Sequence, residues 1–412
     1  MPRWSDYTTG ERIKILRGKT IRQSDLSEMT GLSLPVIQMA EQDKRLTLQT
    51  LMKVADALGA DTSVILGQQA PRRASEHGDR ATMRDLSRAV HDTAAGLLPG
   101  TVGDAPSLAE LRESTASCWD AYWRGEYVKA GALAAPFLAE ASARLHAQPA
   151  GEEAEAWGVM TDAYRLAAYV ANLMGNRDLA YSAIGHAQNA AERAADDMRV
   201  ALVASGRSWV YLRDARLPEA LALAERSAVD IEPRFSKATA DELTAFGSHV
   251  NFAAVVASRM GDKDRAADYL SQSHATGARM GSEHRAHGTL FGPVSAATQA
   301  VGVNVALGQT GKALALINSI KNVSGLTAAA RNRYAMDKAM AQADAKRWDE
   351  SLDTLEEALL HAPEWARHQT LPSVIVQKVG RASTARLRRV SKLIGADMES
   401  SGFLPATART AL

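Results

Sequence analysis

The sequence predicts an all-α fold in two parts: a short N-terminal helical module and a long stack of helical hairpins, an α-solenoid. In the N-terminal part, apolar residues recur at helical spacing and are interrupted by turn residues. Beyond residue 106, a loop residue recurs with a small residue five positions after it, and almost nothing alternates with the period of a strand. The 412 residues suffice for two or three domains.

Two short amphipathic helices joined by a tight turn are predicted around Gly31. Leu26 lies on the apolar side of the first helix and Ile37 on that of the second. Gly31 fits a turn that needs a positive φ. Ser33 is a preferred N-cap residue, expected to accept a hydrogen bond from a free amide of the second helix, and Pro35 fits the first turn of that helix. The pattern predicts a helix-turn-helix.

Residues 10–67 resemble the lambda-repressor-like, Xre-type helix-turn-helix family. Gln23 stands where the family opens its second helix, and Glu41 matches the end of the recognition helix. Two positions depart from the family: Asp43 replaces a usual glycine, and Leu46-Thr47 replaces a usual proline. Both lie in the loop after the recognition helix, so they affect the shape of the loop rather than the fold.

The resemblance implies that the second helix of the pair enters the major groove of DNA. The residues it nominates are Ser33, Leu34, Pro35 and Gln38 for base edges, and Gln23, Lys44 and Arg45 for phosphates. A glutamine such as Gln38 suits adenine, and apolar side chains suit the methyl group of thymine. The alternative is that Gln38, Lys44 and Arg45 are simply solvated surface.

The charge balance gives no general attraction to DNA. The whole chain carries a net charge of +1, and its first 70 residues hold nine basic and eight acidic side chains. Affinity must therefore come from the placement of a few cations. A single module of this kind is expected to bind weakly, which favours a homodimer on double-stranded DNA with paired half-sites.

Cysteine usage and missing motifs exclude several classes of protein. The single cysteine, Cys118, rules out a disulfide framework, suits a reducing cytoplasm and reads as a buried structural thiol. We find no signal peptide and no apolar run long enough to span a membrane. Phosphate-binding loops, metal motifs and nucleophile motifs are also missing, so we expect no enzyme, no cofactor and no metal site. His284 and His287 read as a surface loop.

Internal repetition organises the rest of the chain. Residues 71–106 read as a linker that contains one helix, over 79–94. After it, the loop residue and the small residue five positions later form the pairs Gly125/Ala130, Gly175/Ala180, Ala215/Ala220, Gly261/Ala266, Gly308/Ala313 and Lys346/Ser351. The positions seven residues before each loop residue hold Cys118, Ala168, Ser208, Ala254, Val301 and Ala339. Mostly small residues at both positions predict hairpins whose two helices cross closely.

This pattern resembles the tetratricopeptide repeat, with spacings longer than the 34 residues of that family. The resemblance implies a curved stack with an extended concave groove. It nominates as ligand-binding residues Trp119, Tyr122, Arg165, Tyr169, Asn172, Trp209, Asn251 and Thr298, and places Arg333 in the groove as well. Aromatic residues recur at one position of three successive repeats, and the amide and guanidinium groups suit a peptide backbone or a carboxylate. The alternative is that the aromatic row fills core between repeats.

The predicted domains are therefore a helix-turn-helix domain (1–70), a helical linker (71–106), a tetratricopeptide-like sensor and dimerisation domain (107–395) and a tail (396–412). The sensor domain is expected to end in a basic capping helix near residues 374–394.

The order of domains resembles the peptide-pheromone receptors of the Rgg and PlcR type and similar actinobacterial regulators. That resemblance implies a cytoplasmic transcription regulator of the quorum-sensing kind, controlled by a peptide or small molecule bound in the groove. The signal would change the curvature of the solenoid and with it the distance between two recognition helices. Two alternatives stay open: an adaptor whose groove binds a partner protein while DNA binding localises it, and a constitutive repressor whose repeats are purely architectural.

Overall fold

A computed structural model shows a predominantly helical chain. It describes residues 7–18, 20–44, 48–60, 65, 77–97, 105–147, 151–369, 371–379, 387, 389–390 and 393. The chain divides into two units: residues 1–88 with 174–176, and residues 89–173 with 177–412. We call them the N-terminal unit and the repeat unit.

The N-terminal unit is built around four short helices, α1 (Thr9–Arg17), α2 (Gln23–Thr30), α3 (Leu34–Glu41) and α4 (Leu48–Leu58). Gly31 ends α2 in the left-handed conformation, at φ 62°, as the predicted turn requires. The core lies between the helices and includes Ile13, Leu26, Ile37 and Leu58, all fully buried. A fifth helix, α5 (His77–Ala94), crosses from the N-terminal unit into the repeat unit.

The repeat unit consists of antiparallel helical hairpins that follow one another in the chain. The paired helices are α6 (Leu108–Arg124) with α7 (Tyr127–His146), α8 (Glu153–Leu173) with α9 (Arg177–Ala194), α10 (Asp197–Arg213) with α11 (Leu217–Asp230), α12 (Ala240–Met260) with α13 (Lys263–Met280), α14 (Pro293–Ala306) with α15 (Thr310–Ser319), and α16 (Ala328–Asp344) with α17 (Trp348–His361). Two shorter helices follow, α18 (Pro363–Arg367) and α19 (Leu371–Val379). Most of the basic helix expected near 374–394 lies outside the described residues.

The predicted repeat of small residues is confirmed. All six loop residues have a positive φ, including the non-glycine residues Ala215 (60°) and Lys346 (62°). The small residues on both helices of each hairpin are buried. Two of these small residues are serines, and each hydroxyl bridges the two helices of its hairpin. Ser208 Oγ donates to the Ala220 carbonyl at 2.6 Å, and Ser351 Oγ donates to the Ala339 carbonyl at 2.7 Å. Cys118 belongs to this set, and burial raises the pKa of its thiol to about 12.

The first and last hairpins of the repeat unit touch. Helix α6 packs against α16. The Glu364 carboxylate of α18 accepts a hydrogen bond from the Val128 amide at 2.6 Å, and Trp365 covers Gly125. A Cβ atom at Gly125 would lie 2.9 Å from Cβ of Trp365, so only glycine permits this approach. The open, extended groove that the repeat resemblance implies is therefore closed by contact between its ends.

A β-hairpin replaces the loop predicted around His284 and His287. Strands β1 (His284–Ala286) and β2 (Thr289–Phe291) pair antiparallel, and His287 and Gly288 form the turn with φ 49° and 72°. Phe291 is fully buried against Gly247 of α12, where a side chain would leave no room for its ring. The Glu283 carboxylate accepts a hydrogen bond from the Val294 amide at 2.8 Å and so satisfies the start of α14.

We expect Gly261→Ala to destabilise the repeat unit by about 1 kcal/mol, because alanine is strained at a left-handed position. Gly261 has φ 77°, and no atom lies within 4 Å of the position that a Cβ would take, so the effect reports the backbone alone. Urea unfolding followed by circular dichroism measures it. Gly311→Ala is the matched control, because Gly311 lies within α15 with equal space around it, and alanine there should be neutral or stabilising. Equal unfolding midpoints for the two variants would contradict the prediction.

Candidate DNA-binding surface and ligand cavity

The candidate recognition helix α3 presents its first residues to solvent. Ser33, Leu34 and Pro35 are exposed, and Gln38, one turn further along, is half-buried. Ser33 occupies the N-cap position (φ −68°, ψ 149°), but its side chain makes no capping hydrogen bond, contrary to the sequence expectation. Its hydroxyl therefore stays available at the exposed start of the helix.

A buried carboxylate holds α3 in place. Glu41 is 1% exposed and accepts hydrogen bonds from Arg17 Nε of α1 and from Gln23 Nε2 of α2, both at 2.6 Å. Arg17 also donates to the Ile21 carbonyl at 2.6 Å. One acidic side chain thus ties three helices together, and a buried charge needs such partners. The side-chain amide of Gln23, nominated for a phosphate, is directed to Glu41 instead; its backbone lies at the start of α2.

The departure at Asp43 has a structural explanation. Asp43 has φ 56°, a conformation for which aspartate is more tolerant than most residues. Its carboxylate accepts hydrogen bonds from the Thr8 hydroxyl at 2.5 Å and from the Gly10 amide at 2.7 Å. The side chain therefore stabilises the first turn of α1, which glycine cannot do. Gly10 in turn lies so close to α3 that a Cβ would be 2.5 Å from the Glu41 carbonyl oxygen.

Only part of the basic charge of this unit faces solvent. Arg12 is buried and donates to the Ile65 carbonyl at 3.3 Å, and Arg17 is bound to Glu41. Lys44 is exposed after α3, as a phosphate contact requires, whereas Arg45 lies outside the described residues. Arg22, which the sequence analysis passed over, is exposed at the N-cap of α2. The signal was its position directly before Gln23.

In the repeat unit the predicted aromatic row is continuous. Tyr169 lies between Trp119 and Trp209, with ring centroids at 5.6 Å and 5.2 Å and nearly perpendicular planes. Tyr122 joins the row at 5.4 Å from Trp119 and 6.0 Å from Tyr169. Burial raises the pKa of the Tyr122 and Tyr169 phenols, which therefore stay neutral. Trp119 is 3% exposed.

The tip of the β-hairpin covers the start of this row. Arg165 Nη2 donates to the carbonyl of His287, and the Arg165 guanidinium lies 5.0 Å from the centre of the Trp119 ring. A Cβ at Gly288 would lie 2.5 Å from Cε2 of Trp119, so the backbone of the tip rests directly on the ring. Arg165 does bind a peptide backbone, as its chemistry predicts, but the backbone belongs to this chain.

The hairpin is also held along its sides. His284 Nε2 lies 2.7 Å from the Asp241 carboxylate of α12, and His287 Nε2 lies 3.9 Å from the same group. Arg285 stacks over Trp123 at 4.9 Å. The two histidines thus share one acidic neighbour, and no group of three potential metal ligands forms among the described residues.

The other nominated ligand residues fall in different places. Asn172 is fully buried, and its side-chain carbonyl accepts from Arg177. Trp209 ends the aromatic row, with Arg213 at 5.9 Å from its ring centre. Asn251 and Thr298 line a cavity of about 170 Å³ instead. The cavity is lined by Trp123, Asn251, Leu290, Ser295, Thr298, Gln299, Leu326, Thr327, Ala330, Arg333, Tyr334 and Asp337.

The residues predicted to bind a ligand fall into two sets, one under the hairpin tip and one at the cavity. The aromatic row and Arg165 lie under the hairpin tip, whereas Asn251, Thr298 and Arg333 border open space beside Leu290 of β2. Asp337 and Trp123 also line the cavity, and the sequence did not nominate them. Asp337 follows Arg333 by four residues, one helical turn, which was its only signal.

The family comparison agrees with the geometry of the N-terminal unit. The Cro/C1-type helix-turn-helix DNA-binding domain matches residues 13–65. The chain thus carries a Cro/C1-type helix-turn-helix domain at its N-terminus, and this domain indicates a DNA-binding regulator rather than an enzyme. No curated protein and no solved structure matches the chain. No helix in the described part of the chain is long and apolar enough to cross a membrane.

We expect Glu41→Ala to destabilise the N-terminal unit by about 3 kcal/mol, because it leaves the Arg17 guanidinium without its buried counter-ion. Specific DNA binding should fall with it, while the repeat unit keeps its helical signal. Thermal unfolding and a DNA-binding titration measure the two effects. Glu28→Ala is the control, because Glu28 is exposed on α2. The prediction is wrong if Glu41→Ala unfolds at the temperature of Glu28→Ala.

We expect Gly288→Ala to release the hairpin tip, because its Cβ would overlap Trp119 and Arg165. Amide hydrogen exchange across residues 284–291 should rise at least tenfold. Gly261→Ala is the control that separates the effect of lost contacts from the effect of backbone strain. Both glycines have φ above 70°, but of the two only Gly288 has neighbouring atoms that a Cβ would meet. Unchanged exchange in Gly288→Ala would show that the tip is not held by this contact.

Proposed function

We propose that this protein is a cytoplasmic transcription regulator that binds paired DNA half-sites as a homodimer and responds to a ligand in its repeat unit. The observation that carries the proposal is the Cro/C1-type domain, with the exposed start of α3 available for the major groove. Ser33, Leu34, Pro35 and Gln38 would contact bases. Gln23 through its backbone amide, Lys44, Arg45 and the newly identified Arg22 would contact phosphates.

Homodimerisation is supported by the sparse charge of the domain. With Arg12 and Arg17 occupied inside the unit, few described cations remain to neutralise phosphates. Each phosphate contact adds to affinity through counter-ion release, so one copy gains little. Two copies on adjacent half-sites double the contacts and read a longer sequence. We assign the dimer contact to the repeat domain, as in the proteins that the domain order resembles.

Sensing is supported by the cavity beside the β-hairpin. Two nominated ligand residues, Asn251 and Thr298, line it, and it holds apolar walls together with several polar groups, as ligand sites do. A purely architectural repeat domain has no need of such a space. The groove residues around Trp119 are covered by the hairpin tip, so a ligand reaches them only if the tip moves.

The closed repeat unit changes the proposed switch. A change of curvature must first break the contact between α18 and the first hairpin, where Glu364 binds Val128. We therefore place the response in elements that border the cavity, β2 and α16, rather than in bending of the whole stack. An adaptor would bind a partner protein without a change in DNA affinity, and this difference distinguishes the two functions.

We expect Gln38→Ala to lower discrimination between operator and non-operator DNA by about 1–3 kcal/mol, because a base-edge contact is lost. Lys44→Ala should instead weaken binding to all sequences alike and flatten the salt dependence. Genome-wide mapping of bound sites, followed by titrations on the recovered sequence, measures both. Lys53→Ala, exposed on α4, is the control. If neither the natural protein nor Gln38→Ala yields a site with inverted half-sites, the proposed regulator function is wrong.

A further inference from the structure

The cavity beside the β-hairpin is small. Its volume of about 170 Å³ slightly exceeds the roughly 150 Å³ of a cavity that holds benzene. Trp123 and Tyr334 provide aromatic surface, and Leu290 and Leu326 provide aliphatic surface. The neighbouring groove, which an extended peptide would also need, is covered by the hairpin tip at Gly288. The size selects a compact molecule.

Two charged side chains line the cavity, Arg333 and Asp337. Arg333 lines it with a side chain that is 43% exposed, and its Nε lies 3.5 Å from the Asp337 carboxylate. Arg259 of α12, which is exposed and does not line the cavity, lies close enough to interact electrostatically with both groups. Burial raises the pKa of Asp337, which is 3% exposed. With two guanidinium groups near one buried carboxylate, the local charge favours an anion.

One unused hydrogen-bond donor at the cavity points to the same chemistry. Among the described residues that line the cavity, the buried side-chain atom without a hydrogen-bond partner is Arg333 Nε, whose 3.5 Å contact with Asp337 is an ion pair. Arg213, whose pKa burial lowers to about 10, lies within electrostatic range of Arg333 and Arg177. A carboxylate or phosphate accepts hydrogen bonds from a guanidinium group such as that of Arg333.

We propose that the cavity between β2, α14 and α16 binds a compact organic anion, one carboxylate or phosphate on a flat apolar body, with Arg333 as its main anchor. The inference rests on the proposed sensing function and names its ligand class. Asn251, whose side-chain oxygen accepts from Ser273, supplies an amide group for the anionic end, and Trp123 and Tyr334 flank the apolar body. A molecule held there touches Leu290, so its binding is felt directly by the β-hairpin.

The test is isothermal titration of the full chain with benzoate and with phenyl phosphate, which distinguish carboxylate from phosphate, and with neutral benzyl alcohol. We expect at least one anion to bind at least tenfold more tightly than the alcohol. Arg333→Gln should weaken that anion at least tenfold, and Arg333→Lys less. Arg226→Gln, exposed on the outer helix α11, should bind as the natural protein does. Circular dichroism of each variant confirms that the fold is kept.

Three results would overturn the site: no binding of either anion at millimolar concentration, equal binding of the alcohol, or unchanged binding by a folded Arg333→Gln. DNA titrations with and without the bound anion test the proposed function separately. Binding of an anion without any change in DNA affinity supports the site but contradicts sensing through it. Loss of the anion in Arg333→Gln together with loss of its effect on DNA affinity supports both.

Discussion

The contact between the first and last hairpins decides the character of the repeat unit. Glu364 and Trp365 meet residues more than 230 positions earlier in the chain, at Val128 and Gly125. This closure turns the concave side of a helical stack into an interior. Side chains that would be solvated in an open groove are thereby buried, and their polar atoms must find partners within the protein or in a ligand. Around Trp119 and Arg165 the cover is the tip of the β-hairpin.

The β-hairpin supplies some of the hydrogen-bond partners that these buried polar atoms need. Its tip presents the backbone carbonyl of His287 to Arg165, and Gly288 allows the backbone to rest on Trp119. The contact imitates what a bound peptide would offer, since a carbonyl meets a guanidinium and a backbone lies on an aromatic ring. It still leaves two nitrogen atoms of Arg165 without partners. The interior therefore keeps a surplus of donors even where the chain covers it.

The sequence predicted what depends on local geometry and could not reveal what depends on distant contacts. The loop positions had to be left-handed and the flanking residues small, and this recurs at every hairpin down to Ala215 and Lys346. The same period placed Trp119, Tyr169 and Trp209 in one row. The contact between the first and last hairpins and the β-hairpin left no pattern in the sequence. The strands have only three residues each, and the residues that contact Trp365 lie far away in the sequence. Asn251 and Thr298, which the repeat period nominated, line the cavity, whereas Asp337 needed the structure.

In the helix-turn-helix domain, part of the charge holds the fold together and is not available to DNA. Glu41 fixes α3 through Arg17 and Gln23, so an arginine and a glutamine on two helices are partly withdrawn from DNA. These bonds hold the recognition helix α3 in position, because its last residue, Glu41, is hydrogen-bonded to both neighbouring helices. A DNA-binding domain with few phosphate contacts depends more on base contacts and on the spacing of a second copy than on non-specific electrostatic attraction to DNA. Such a domain is sensitive to any event that alters how two copies are held, because modest strain at the second half-site removes a large share of a small binding energy.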